Sequence, residues 1–197
     1  MTTDPDASAR IVDATVLADD WGRLTRYDFD MRLRDGTWDR QRREVYDRGN
    51  GAVCLLYDPD RDTVLLTRQF RLPSFVNGGV SHLVEAPAGL LDGAAPADRM
   101  RQELIEETGV EVAALTHAFD LYMSPGSVSE YLAFFEGTYA PRDRVGEGGG
   151  ADDEGEDIEV LEIPLDAALA MIDRGEIRDA KTVILLQRLK LRQLGAG

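Results

Sequence analysis

Cysteine is nearly absent: Cys54 is the single one, so no internal disulfide framework is available, and its place inside an apolar run marks it as a small core residue. Histidine is almost as scarce, and the isolated His82 and His117 are given no chemistry. No stretch approaches the roughly 20 consecutive apolar residues of a membrane helix. The acidic start, Met1-Thr2-Thr3-Asp4-Pro5-Asp6, lacks the charged-then-apolar pattern of an export signal. Positive charge is in deficit, with 22 Lys and Arg against 37 Asp and Glu and a net charge of −15. Such a surface repels phosphate backbones at long range, which argues against nucleic acid and acidic membranes as partners. The expectation is a cytoplasmic protein.

What remains is 197 residues, 43% of them hydrophobic, enough for one well-filled domain with a small appended element. Lysine is confined to Lys181 and Lys190; the other 20 basic residues are Arg, and eight of these fall between positions 23 and 48. An otherwise acidic chain therefore carries a basic N-terminal stretch.

Alternation and turn marks predict strands at 10–18, 23–33 and 38–46, with Asp35-Gly36 as a hairpin turn. Shorter strands follow at 52–57, 63–69, 83–86, 112–122, 130–137 and 158–163, the first pair turned by Asp58-Pro59-Asp60 and the fourth cut from the fifth by Ser124-Pro125-Gly126. Three helices are legible: 96–108, opened by Pro96 and stopped by Gly109; 165–174, stopped by Gly175; and 179–194, capped by Asp179 and ended by Gly195. The glycine-rich segment 142–153 reads as a mobile loop running into an acidic cluster. This order predicts an α+β sandwich, with residues 1–46 as an N-terminal β element and 47–197 as the main domain.

The most informative segment is Gly89 to Val110. On a helix, Ala97, Met100 and Leu104 form an apolar stripe, with Glu103, Glu106 and Glu107 on one arc beside it. As helix design this is unfavourable: Glu103 and Glu107 are like charges four residues apart. All three also lie in the C-terminal half, where the helix dipole disfavours anions. No Lys or Arg follows Glu106 or Glu107 four residues on. A divalent cation would remove the repulsion, and hard oxygen ligands suit Mg²⁺ or Mn²⁺.

The run from Gln102 to Val110, Q-E-L-I-E-E-T-G-V, resembles the R-E-U-x-E-E-x-G-U core (U aliphatic) of the Nudix hydrolases, with Gly89 as the leading glycine. Ala95 stands where that pattern has Glu, Gln102 where it has Arg, and the spacer is one residue short. Arg43 to Ala52, R-Q-F-R at 68–71, L-Y-M-S-P-G at 121–126 and G-E-I-R-D at 175–179 extend the resemblance over most of the chain, toward the GDP-mannose pyrophosphatase branch. That branch is close to the ADP-ribose pyrophosphatases.

The resemblance implies a Nudix α/β/α sandwich acting with Mg²⁺, or Mn²⁺ in its place, on a nucleotide sugar. It implies a homodimer whose N-terminal antiparallel β elements are exchanged. Glu103, Glu107, Glu156 and the Ala88 carbonyl become metal ligands; Glu106 serves the same cluster directly or through water. Glu154, in E-G-E-D-I, becomes the general base that takes a proton from water. Trp21, Arg42, Arg43, Glu44, Arg71, Gly89, Leu90, Glu130 and Gly155 are expected to meet substrate, Trp21 by stacking on a base, the arginines on the diphosphate and Glu130 at a sugar hydroxyl. The implied reaction is GDP-mannose plus water to GMP and mannose 1-phosphate. ADP-ribose as substrate, and a Nudix fold that binds a nucleotide sugar without hydrolysing it, stay open on sequence alone.

Overall fold

The structure, a computed structural model, describes residues 8–150 and 155–195. The chain forms two compact units. The first comprises the described residues up to Asn50 together with Ser124–Glu130; the second comprises Gly51–Met123 and the chain from Tyr131 onward.

The first unit is an antiparallel meander, β1 (Ala9–Asp19), β2 (Arg23–Arg32) and β3 (Trp38–Asp47), in the order β1-β2-β3. Asp35 and Gly36 turn β2 into β3 as expected: Gly36 takes φ 87°, and Asp35 accepts from both the amide and the hydroxyl of Thr37. Two register shifts bulge the edge strand β1. Ser124–Glu130 joins this unit through Tyr46, whose N–H donates to the Ser127 carbonyl at 2.8 Å and whose carbonyl accepts from Ser129 at 3.1 Å. Ile11 and Val16 of β1 are more than half exposed among the described residues.

The second unit is built on a seven-stranded sheet. Its main path runs β10 (Glu159–Pro164), β5 (Thr63–Phe70), β4 (Gly51–Asp58), β9 (Tyr131–Thr138), β8 (Thr116–Tyr122), while β6 (His82–Glu85) adds to β5 and β7 (Ala88–Leu90) to β4. All these pairings are antiparallel except β4 with β9. The two-residue period of β4 sends its side chains into two cores. Val53 and Leu55 pack with α3 (Leu165–Asp173) and α4 (Ala180–Gln193), whereas Ala52, Cys54 and Leu56 pack with Met100 and Leu104 of α2 (Pro96–Thr108). The result is the expected α/β/α sandwich. Met100, Leu104 and Cys54 are fully buried, and burial pushes the Cys54 thiol far above its ordinary pKa.

The helix ends follow their sequence signals. Pro96 opens α2, Gly109 closes it at φ 69° with its N–H on the Ile105 carbonyl, and Asp179 caps α4 by accepting from Thr182 N–H at 3.0 Å. One helix was not legible: α1 (Leu72–Gly78) buries none of its residues and so has no amphipathic period to betray it. β8 also starts later than expected, because Val110 and Val112 enter the core as loop residues. No helix among the described residues is long and apolar enough to cross a membrane.

Candidate active site

The C-terminal half of α2 lies against the short strand β7, and the packing explains why position 89 is glycine. A Cβ there would stand 1.8 Å from Glu103 Oε1, so any side chain would expel the Glu103 carboxylate. One residue earlier, the Ala88 N–H donates to Glu107 Oε2 at 3.1 Å. Glu103 and Glu107 are buried, at 6% and 1% exposure, while Glu106 is exposed. Burial, followed by the negative charges of Glu103 and Glu156, raises the Glu107 carboxyl well above its ordinary pKa; the Ala88 N–H and Arg71 offset this only in part. Three of the expected metal ligands therefore act on one another electrostatically.

The helix is not without a cation, contrary to the expectation from counting forward along it. Arg99, four residues before Glu103, places Nη2 2.6 Å from Glu103 Oε1 and Nη1 3.6 Å from Glu106 Oε2. Its Nε donates to the Leu90 carbonyl at 3.2 Å, which gives Leu90 a part in the site through its backbone.

The glycine-rich segment also departs from expectation. Its described part, 142–150, is hydrogen-bonded onto the end of α2 and so does not run free as a mobile loop. The last four carbonyls of a helix have no partner within it; here each finds one. Ile105 accepts from Gly109, Glu106 from Gly150 at 3.0 Å, Glu107 from Gly149 at 3.0 Å, and Thr108 from Arg144 Nη1 at 3.2 Å. Such close backbone approach requires glycine. A Cβ at Gly148 would lie 2.5 Å from the Glu107 carbonyl oxygen, and Gly148 has φ 73°. The same clamp lies against Glu156, since a Cβ at Gly150 would lie 2.6 Å from both Cβ and Oε2 of that residue. Gly155 takes φ 70° at an exposed turn. Glu154, the expected general base, lies outside the described residues.

Arg71, expected on the diphosphate, is held by Glu85 through two bonds of 2.9 and 3.0 Å. Lys181 adds a third at 2.6 Å and pairs with Asp179 at 2.9 Å. Burial alone would raise the Glu85 carboxyl, but Lys181 and Arg71 outweigh it and hold the group below the usual range. Sequence reasoning passed over Glu85, Lys181 and Arg99. Only Arg99 carried a local signal, its spacing of four from Glu103; Glu85 and Lys181 are 96 residues apart.

In the first unit, Trp21, Arg48 and Glu130 come together. The Arg48 guanidinium lies 5.4 Å from the Trp21 ring centroid and donates to Glu130 Oε1 at 3.1 and 2.9 Å. Arg48 is a further residue to which the sequence reading gave no role. Arg42 binds Asp28 at 2.7 Å, and Arg43 binds the Gln41 side chain at 2.9 Å. Because side chains alternate along β3, Arg42 and Glu44 share one face of the sheet and Arg43 occupies the other.

Known families account for nearly the whole chain. Residues 8–46 match the GDP-mannose pyrophosphatase NudK N-terminal domain, and residues 47–186 match the NUDIX domain. The chain belongs to the Nudix family. Curated relatives include the GDP-mannose pyrophosphatases of Pectobacterium atrosepticum, 50% identical over 92% of this chain and 94% of the relative, and of Citrobacter koseri, 51% identical over 88% and 91%. That of Escherichia coli O1:K1 is 49% identical over 93% and 96%.

Nudix hydrolases generally use divalent metals. Among the described residues no three acidic, histidine or cysteine side chains are gathered closely enough to hold a metal ion. The donors of this Nudix chain nonetheless suit a divalent cation. Glu103 and Glu107 carry hard carboxylate oxygens one turn apart, both buried, and the charges of Glu103 and Glu156 act on Glu107.

Proposed function

We propose that this chain is a Mg²⁺-dependent GDP-mannose pyrophosphatase that hydrolyses GDP-mannose to GMP and mannose 1-phosphate. The observation that carries the reading is the buried like-charge set on α2: Glu107 is 1% exposed and its carboxyl is raised by the neighbouring Glu103 and Glu156. A fold gains nothing from such a set unless a cation completes it. Relatives about half identical over most of their length carry the name of this activity.

In this reading Glu103, Glu107, Glu156 and the Ala88 carbonyl hold the cation, with Glu106 beside them. Mg²⁺, or Mn²⁺ in its place, would neutralise the diphosphate and make water a better nucleophile. The Ala88 N–H keeps the Glu107 carboxylate in place. Arg71, turned by Glu85, offers its guanidinium to a diphosphate oxygen. Glu154 takes the proton from the attacking water. Water adds to phosphorus, the bridging P–O bond breaks, and the two products each keep one phosphate.

Trp21 stacks on the guanine, with Arg48 and Glu130 beside it for the nucleotide or sugar hydroxyls; Arg42, Arg43, Glu44, Gly89, Leu90 and Gly155 complete the contacts. The exposed apolar side chains of β1, Ile11 and Val16, fit a homodimer in which N-terminal elements are exchanged. On composition the enzyme acts in the cytoplasm.

The test is incubation with GDP-mannose and, separately, ADP-ribose, each with Mg²⁺ and with EDTA, followed by separation of products. GMP formed faster than AMP, and only with metal, is the expected result. Faster AMP would overturn the substrate and keep the mechanism. Binding without product from either would make the protein a nucleotide-sugar sensor.

A further inference from the structure

Arg99 is a charged side chain of the acidic helix to which the motif assigns no part. It is only 18% exposed, and its three nitrogens reach three different groups. Nη2 stands 2.6 Å from Glu103 Oε1, Nη1 3.6 Å from Glu106 Oε2, and Nε donates to the Leu90 carbonyl at 3.2 Å. The last contact matters most, because it anchors the guanidinium to the backbone of β7 and not only to the acids. The same strand supplies the Ala88 N–H to Glu107 and the bare Gly89 backbone against which Glu103 is pressed. Glu103 is thus confined between Gly89 on one side and a fixed planar cation on the other.

A guanidinium keeps its charge at any working pH and offers donors in a rigid fork, so it can orient one carboxylate while anchored to a second group. An ammonium has no such fork. We infer that Arg99 is a positioning residue of the metal site: it sets the Glu103 carboxylate and offsets the repulsion between Glu103 and Glu106, so that α2 presents its acids ready for a divalent cation. This rests on the metal-site reading above. A cation so close to the ligands could have the opposite role, that of a competitor which the metal must displace. The two differ in sign. Removing a positioning cation weakens metal binding; removing a competitor strengthens it.

The test uses the full chain and Mn²⁺ alone, with binding followed by electron paramagnetic resonance of the free ion, and Glu107→Gln as a parallel control. Arg99→Met, which keeps the bulk and loses the charge, is expected to weaken Mn²⁺ binding by about 10–100-fold, the range for groups that orient metal ligands. At saturating metal its KM for GDP-mannose should stay within about twofold while kcat falls. Arg99→Lys should recover only part of the affinity. Unchanged or tighter Mn²⁺ binding by Arg99→Met overturns the proposal. If Arg99→Met does not fold, Arg99→Lys decides, since affinity equal to that of the parent protein would show the fork to be unnecessary. Failure of the underlying reading looks different: Glu107→Gln would then bind Mn²⁺ as well as the parent, or the parent would not bind it.

Discussion

The acidic end of α2 and the Trp21–Arg48–Glu130 cluster are held together by opposite means. On α2, every fixing contact but the Arg99 ion pairs has backbone on one side: Ala88 N–H holds Glu107, the Leu90 carbonyl anchors Arg99, and four glycine or arginine donors close the helix end. In the first unit, side chains hold side chains near solvent, with Trp21 70% exposed and Arg48 linking it to Glu130. Chemistry that must place charge to within a fraction of an ångström calls for a buried, backbone-fixed set. Recognition of a base and a sugar tolerates adjustable side chains, because stacking and hydrogen bonds adapt to the ligand. Damage should therefore abolish turnover in the first region and only weaken affinity in the second.

The largest effect is expected from Glu107→Gln. Metal-dependent hydrolysis should fall by at least about 10²–10³-fold, the scale for losing a preorganised electrostatic contact at a reacting centre. The same change should make the metal-free protein more stable at neutral pH, because it removes a buried charge. The sign follows from linkage. The folded Glu107 carboxyl is raised, so the folded state holds a proton that the unfolded state releases, and stability falls as pH rises from the ordinary carboxylate range through the raised value. Glu107→Gln should flatten that slope in urea titrations done in EDTA between pH 5 and about 8. Glu85 works the other way. Its depressed carboxyl contributes stability at neutral pH that is lost only as pH falls below the ordinary carboxylate range.

Next in size is Gly148→Ala. It forces a side chain onto φ 73° and a Cβ to 2.5 Å from the Glu107 carbonyl. Backbone strain of this kind costs about 1–3 kcal/mol. Denaturant titration should show that loss, and kcat should drop with it, because the carbonyl that moves belongs to Glu107. A loss of stability with kcat intact would mean that the clamp supports the fold and not the site.

The Trp21–Arg48–Glu130 cluster should respond more mildly. Trp21→Ala is expected to raise KM for GDP-mannose about tenfold with little change in kcat, in keeping with about 1–3 kcal/mol for stacking on one base. Its thermal midpoint should stay put, given the exposure of the ring. The smallest effect belongs to Arg42→Ala. Arg42 and Asp28 form an exposed pair, so the denaturation midpoint should not move measurably. A raised KM would then report substrate contact alone.

Local signals carried far in this chain. Pro96, Gly109 and the stripe of Met100 and Leu104 marked α2 correctly, and Asp179 marked the start of α4, because caps and periodicity act within a few residues. The short apolar run at 52–57 marked β4, which proves buried on both faces. Helix α1 escaped because it buries nothing, and β7 escaped because three residues are too few for a period. At the site, the carboxylates of α2 were legible as an anomaly, three acids beside an apolar stripe where the dipole opposes them.

By itself the amino-acid sequence determined all the elements but α1 and β7, the acidic helix, the basic N-terminal stretch and, through its motif, the Nudix family. Only the tertiary structure decided that Gly89 makes room for Glu103, and that Gly148–Gly150 close the helix they follow by some forty residues. It alone joined Glu85 to both Arg71 and Lys181, and brought Glu130 to Arg48 across 82 positions. The reason is physical. Propensity, capping and amphipathic period are short-range properties of the chain, whereas close backbone approach and charge pairing depend on which distant segments packing brings into contact.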